Sequence, residues 1–259
     1  MNPHTSDLAR IQHLLKRPAF DAELQRRRSP FLTMFPDTGP LRRELYAKHI
    51  EFFRAGAQYK QRLFMAANRV GKTVAGAFET AYHLTGQYPS WWEGRRIAYP
   101  TDGWACGTTS QTTRDVVESV LLGRSGCPGV IPVESILHTV AGRAISGSVE
   151  TVLVRHVSGK TSKLGFKTYE QGRRSFEGEA KDFIWCDEEP PLDVYTEMLY
   201  RLLTTKGLAW TTFSAFIGNE ARWSPNFWSR KAKNRATPSM WFRPAGRMSL
   251  TWMPRSGAN

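Results

Sequence analysis

Gly71, Lys72 and Thr73 stand in a row, shortly after the apolar run Leu63, Phe64 and Met65. Ala66-Ala67-Asn68-Arg69-Val70 lies between, and Val74 to Leu84 reads as a helix. Strand, tight loop, Gly-Lys-Thr and helix form the setting that a phosphate-binding loop requires. In that setting the backbone N–H groups and the helix N-terminus face phosphate oxygens. Lys72 then reaches the outer phosphates, and the Thr73 hydroxyl holds Mg²⁺. Ala66 occupies the place of the usual first glycine, and Gly-Lys-Thr alone is common by chance.

A second constellation supplies what the loop lacks. Phe183-Ile184-Trp185-Cys186 reads as a buried parallel strand and runs into Asp187-Glu188-Glu189-Pro190-Pro191. Such a strand delivers Asp187 to the sheet edge, where it holds Mg²⁺ through water while Glu188 orients and deprotonates the attacking water. Acidic residues after a strand are usually only a solvated strand end. A lysine loop and an acidic strand end in this order point to an ATP-binding P-loop fold.

The elements that must position these residues are legible from residue 62 onward. Strands are expected at Arg62–Ala67, Arg96–Tyr99, Trp104–Thr108, Thr151–Val157, Leu164–Tyr169, Phe183–Asp187 and Leu208–Ser214. Helices fit Lys72–Gly86, Thr112–Leu122 and Val194–Leu203. The alternation implies an α/β fold with a mainly parallel sheet covered on both faces. Both motifs then fall at the C-terminal strand ends, where ligands of such sheets sit. Residues 1–56 read as a helical segment: Leu8, Ile11, Leu14 and Leu15 recur at helical spacing, as do Leu41, Leu45, His49, Phe52 and Phe53. Arg26-Arg27-Arg28, at the break between them, reads as a solvated face or a DNA-phosphate contact.

The 259 residues are 41% apolar and carry a net charge of +13. That basicity suits a polyanionic partner. From Asn219 to Asn259 there are eight Lys or Arg against one acidic residue, Glu220. Four of the nine tryptophans (Trp223, Trp228, Trp241 and Trp252) lie there without strand or helix period. The segment 219–259 is therefore expected to be irregular or out of frame, or else a basic aromatic arm for single-stranded nucleic acid. Residues 57–218 make the nucleotide-binding domain. Cys106, Cys127 and Cys186 have no metal-ligand spacing, and the six histidines form no ligand pair. No apolar run has the length of a membrane span and Met1-Asn2-Pro3-His4 opens no signal peptide, so an intracellular protein without membrane partners is expected.

From Tyr46 to Gly218 the chain resembles the large terminase subunit of tailed bacteriophages. The resemblance is carried by Arg62 through Thr73, His83-Leu84-Thr85-Gly86, Tyr88-Pro89-Ser90-Trp91-Trp92, and Thr112-Thr113-Arg114-Asp115. Tyr169-Glu170-Gln171-Gly172-Arg173 and Trp185 through Pro191 carry it further. It implies a RecA-like P-loop ATPase domain that uses ATP and Mg²⁺ to move duplex DNA into a procapsid. Portal protein, small terminase subunit and further copies of the chain would be partners, in the cytoplasm of an infected or lysogenic host. Lys72, Thr73 and Asp187 match the loop lysine and the metal-associated pair, and Glu188 matches the catalytic glutamate. Arg69 matches a loop arginine proposed to stabilise the γ-phosphate; an ion pair within the loop is the other reading. Gln61, or Gln58, would contact adenine. In Thr211-Thr212-Phe213-Ser214, Thr212 and Ser214 fall on the family's coupling motif, although Ala215 replaces a common proline. Arg173 and Arg174 would face DNA or a neighbouring subunit's nucleotide, or simply solvent. The family continues into a nuclease domain rich in carboxylates, which is not expected after Gly218. A truncated prophage remnant and another P-loop DNA translocase are the alternatives.

Overall fold

The computed structural model describes residue 31, residues 33–124 and 126–214, and the backbone of residues 239–242. An eight-stranded sheet has the order β10-β1-β9-β8-β2-β7-β6-β5. Its strands are β1 (Gln61–Ala66), β2 (Asp102–Gly107), β5 (Ile136–Ala141), β6 (Val149–Arg155), β7 (Thr161–Thr168), β8 (Phe183–Asp187), β9 (Leu208–Ser214) and β10 (Ser239–Phe242). Two short strands, β3 (Gly123–Arg124) and β4 (Cys127–Pro128), pair separately. Every pairing from β10 to β7 is parallel; β6 and β5 add an antiparallel edge.

Four helices matter for the site: α1 (Ala47–Ala55), α2 (Lys72–Thr85), α3 (residues 110–122, with π-helical Thr113–Glu118 at its centre) and α4 (Leu192–Arg201). Burial follows the strand period of two. Ala105, Phe183, Trp185, Leu208 and Trp210 join the core beneath α2. Cys106, Ile184, Cys186 and Ala209 alternate with them into the opposite core, which α4 covers with Val194, Tyr195, Met198 and Leu199. The sheet is thus covered on both faces, as expected. A β-carbon on Gly76 would lie 2.4 Å from the Trp185 indole, so glycine lets α2 settle onto β8.

α2 is buried almost all round, because Phe31, Phe35, α1 and the Trp91-Trp92 loop form a layer outside it. Phe35 meets Phe53, Phe78 and Trp91 edge-on. Within the expected helical stripe His49, Phe52 and Phe53 are buried, but Leu41 and Leu45 stay exposed. They fall before and within the 3₁₀ turn Arg43–Tyr46, whose pitch breaks the α-period.

Several boundaries shift by a few residues, and two expectations change in kind. Arg96–Tyr99 is no strand: Ile97 N–H donates to the Tyr88 hydroxyl at 2.9 Å, and the place beside β2 belongs to β7. Edge strand β5 went unexpected because five of its six residues are exposed, which leaves no alternation to read. Within 219–259, read as lacking strands, the backbone of Ser239–Phe242 pairs in parallel with β1. The expectations for residues 1–30, for Ala215 and for the rest of that tail lie outside the described residues.

Candidate active site

The site grows from the C-terminal ends of three adjacent strands. Strand β9 lies between the loop strand β1 and the acidic strand β8, with Ala66 opposite Ser214 and Asp187 opposite Thr212. Past Ala66 the chain turns through Ala67, Asn68, Arg69 and Val70, all exposed, and enters α2 at Lys72. Gly71 takes φ 84°, a left-handed conformation natural to glycine. Arg69 also has positive φ, at 62°. Lys72 is buried and its ammonium donates to Ala67 O at 2.6 Å, closing the loop on itself. Burial lowers the Lys72 pKa, while the charges of Glu188 and Asp187 oppose that shift.

Thr73, Asp187 and Thr212 meet. The Thr73 hydroxyl donates to Asp187 Oδ1 at 3.0 Å and the Thr212 hydroxyl donates to the same oxygen at 2.7 Å. The Trp185 indole N–H donates to Thr212 Oγ1 at 2.9 Å, which directs the threonine's own hydrogen toward the carboxylate. Burial drives the Asp187 pKa up to about 6 against the two hydroxyls and Lys72. Among the described residues no cationic side chain hydrogen-bonds to Asp187. A buried, uncompensated carboxylate beside a threonine hydroxyl is an oxygen-donor set that fits a hard cation such as Mg²⁺.

Glu188 turns away from Asp187 with φ 65°. Its N–H donates to Thr212 O at 2.8 Å. Its carboxylate accepts the Ser214 hydroxyl at 2.9 Å and the Ser214 N–H at 3.3 Å. The hydroxyls of Thr212 and Ser214, two residues apart on one strand, therefore serve the two carboxylates separately. Arg173 and Arg174 stand in the 3₁₀ turn Arg173–Phe176, where Arg173 pairs with Glu177 at 3.3 Å.

Gln61 is not brought to the loop. It opens β1 at the end opposite Ala66, and its side chain accepts the Tyr195 hydroxyl at 3.3 Å. Five residue steps of extended strand separate it from Ala66, about 16 Å. Gln58 lies further back, in the turn after α1. Sequence reasoning also missed His49 and Tyr169. His49 Nε2 lies 3.3 Å from Gly71 O; burial holds the ring below its usual pKa, so it is neutral and donates that N–H. Only helical spacing marked His49, and it signals burial rather than contact with a loop.

A family described as terminase large subunit, T4likevirus-type, N-terminal, matches residues 63–248. The large terminase subunit of Salmonella phage P22 is 34% identical over 195 residues, covering 67% of this chain and 39% of that protein. The chain thus spans well under half the length of that relative. Two solved structures of the large terminase from a thermophilic bacteriophage, one in complex with ADP, are similar at a TM-score of 0.44. They share 12% and 13% identity, over 64% of this chain and 37% of theirs.

Proposed function

This chain belongs to the terminase large-subunit family, and from that premise we propose that it is the MgATP-hydrolysing part of a phage DNA-packaging motor. The observation that carries the reading is the buried Asp187 carboxylate, served by the Thr73 and Thr212 hydroxyls at the strand ends beside the Gly71-Lys72-Thr73 turn. Family membership sets aside the alternative of an unrelated P-loop translocase.

ATP phosphates are received by the N–H groups at the start of α2 and by Lys72, whose ammonium leaves Ala67 O for a phosphate oxygen. Thr73 and Asp187 would hold Mg²⁺, which would supply neutralisation of phosphate charge. Glu188 takes the proton of the attacking water. Arg69, exposed in the loop, is the candidate for stabilising charge on the γ-phosphate. Ser214 links Glu188 to β9, so rearrangement at the carboxylate reaches the strand through Ser214 and Thr212. Duplex DNA, held by phosphate-directed and salt-sensitive contacts, is the polymer moved. Portal protein, small terminase subunit and further copies of the chain complete the machine in the host cytoplasm. Nuclease activity is not expected of these residues.

Steady-state ATP hydrolysis, with and without duplex DNA, tests this. Glu188→Gln should lower turnover by roughly 10²–10⁴-fold with nucleotide affinity retained, since the amide cannot accept the water's proton. Equal loss of binding and turnover would remove Glu188 as the base. Bound nucleotide without wild-type turnover would identify a remnant with a site and no motor.

A further inference from the structure

Glu188 sits in left-handed backbone, which no β-carbon favours, at the residue whose side-chain aim matters most. Its N–H is held by Thr212 O and its carboxylate by Ser214. The third hold comes from two strands away. Tyr169 follows β7, opens the 3₁₀ turn Tyr169–Gln171, and is buried in the same core as Trp104, Phe176 and Cys186. Its hydroxyl lies 3.0 Å from Glu188 O and 3.2 Å from Asp187 O. A phenol has one hydrogen to donate, and it is shared between the two carbonyls of the turn.

The neighbours of Tyr169 are fixed as well. Glu170 accepts the Ser110 N–H at 2.6 Å and the Ser110 hydroxyl at 2.5 Å, at the start of α3. The Gln171 side-chain oxygen reaches back across the 3₁₀ turn and accepts the Thr168 N–H at 3.3 Å. Tyr169 therefore reaches Glu188 from a clamped base. The same segment continues into the turn that carries Arg173 and Arg174.

The geometry points to Tyr169 as a positioning residue: its hydroxyl holds the left-handed peptide of Glu188 and so aims the carboxylate. This rests on the reading of Glu188 as the residue that activates water. Tyr169 does not touch the carboxylate, so its removal acts on the aim and leaves the phosphate loop untouched.

The test is Tyr169→Phe, beside Tyr169→para-aminophenylalanine, which keeps a donor at the ring's para position. In the nucleotide-free chain, amide hydrogen exchange at residues 187–189 should quicken in the Phe variant and return toward wild type in the amino variant. Turnover should fall about tenfold or more in the Phe variant, with KM for ATP within about threefold of wild type. The amino variant should recover most of that loss. Unchanged exchange and unchanged kcat would overturn the proposal. So would a rise in KM matching the loss in kcat, or a Phe variant that does not fold, since each assigns Tyr169 a purely structural part. Absence of wild-type turnover would count against the ATPase reading on which this rests, while the exchange comparison still decides whether Tyr169 holds the turn.

Discussion

Two buried carboxylates, Glu79 on α2 and Asp187 at the end of β8, meet opposite electrostatic fates. Glu79 is fully enclosed and receives both arms of the Arg62 guanidinium, at 2.9 and 2.5 Å. His83 Nε2 stands 3.4 Å from it. Burial pushes the Glu79 carboxyl upward, yet Arg62 and His83 outweigh it and its pKa falls below the ordinary value. Asp187 has only hydroxyl donors and a lysine bonded elsewhere, and burial wins. One carboxylate carries its counter-charge within the chain. The other is buried at a rim where a nucleotide and its metal would bring one. That difference separates a structural ion pair from a candidate functional site more clearly than burial or charge alone.

The proton positions around Glu79 follow from the hydrogen bonds. Ile97 N–H donates to the Tyr88 oxygen, so the Tyr88 hydroxyl hydrogen goes to His83 Nδ1 at 2.9 Å. That leaves His83 Nε2–H to face Glu79. Burial lowers the His83 pKa, in keeping with a neutral ring.

The sharpest way to break this comparison is to delete each acid. Glu79→Ala leaves the Arg62 guanidinium buried without its partner and should cost about 3–5 kcal/mol in urea unfolding. Its folded fraction should still bind nucleotide normally. Asp187→Asn should leave the nucleotide-free chain at least as stable as wild type, because an uncompensated buried charge is removed. It should abolish the rise in Tm that MgADP gives the wild type. A mild Glu79→Ala together with a destabilised Asp187→Asn would reverse the assignment of the two acids.

A smaller effect comes from pH. His83 titrates at its ordinary 6.5 once unfolded and below that when folded. The unfolded chain therefore binds the proton first as pH falls. Stability is fully present above the unfolded value and declines as pH drops through it, by up to about 1.4 kcal/mol per unit. Urea unfolding between about pH 7 and pH 5 measures this slope, and His83→Gln should flatten it. A surviving slope of the same sign belongs to His49 and His156, which burial also holds low, while Asp187, raised to about 6 in the folded chain, binds its proton there first and contributes a slope of the opposite sign. The smallest effect is that of Tyr88→Phe, which removes one buried donor and should cost about 1 kcal/mol, read as a lowered Tm with unchanged ATPase activity.

Much of the site was legible because its parts are local. Gly71-Lys72-Thr73 opens a helix, and Asp187-Glu188 closes a run of five buried residues. β8 and β9 carry the bounds expected of them, since strands buried on both faces write continuous apolar runs. The edge strand β5 left no such trace. Gln61 stands at the far end of β1 from the loop, because closeness in sequence says nothing of distance along an extended strand. Tyr169 belongs to a quoted motif, but its contact with Glu188 spans 19 positions and reaches across β2, which lies between β7 and β8.

By itself the sequence determined the loop, the acidic strand end, the alternation of strands with helices, and the family resemblance. Each depends on residue type at short spacing, where backbone conformation and burial period are set locally. Only the tertiary structure decided that β9 lies between β1 and β8. That order puts Thr212 on Asp187 and Ser214 on Glu188, while the neighbouring order β8-β2-β7 carries Tyr169 to the acidic turn. Strand order is chosen by non-local pairing and by how α2 and α4 fit the two faces, and no spacing along the chain records it.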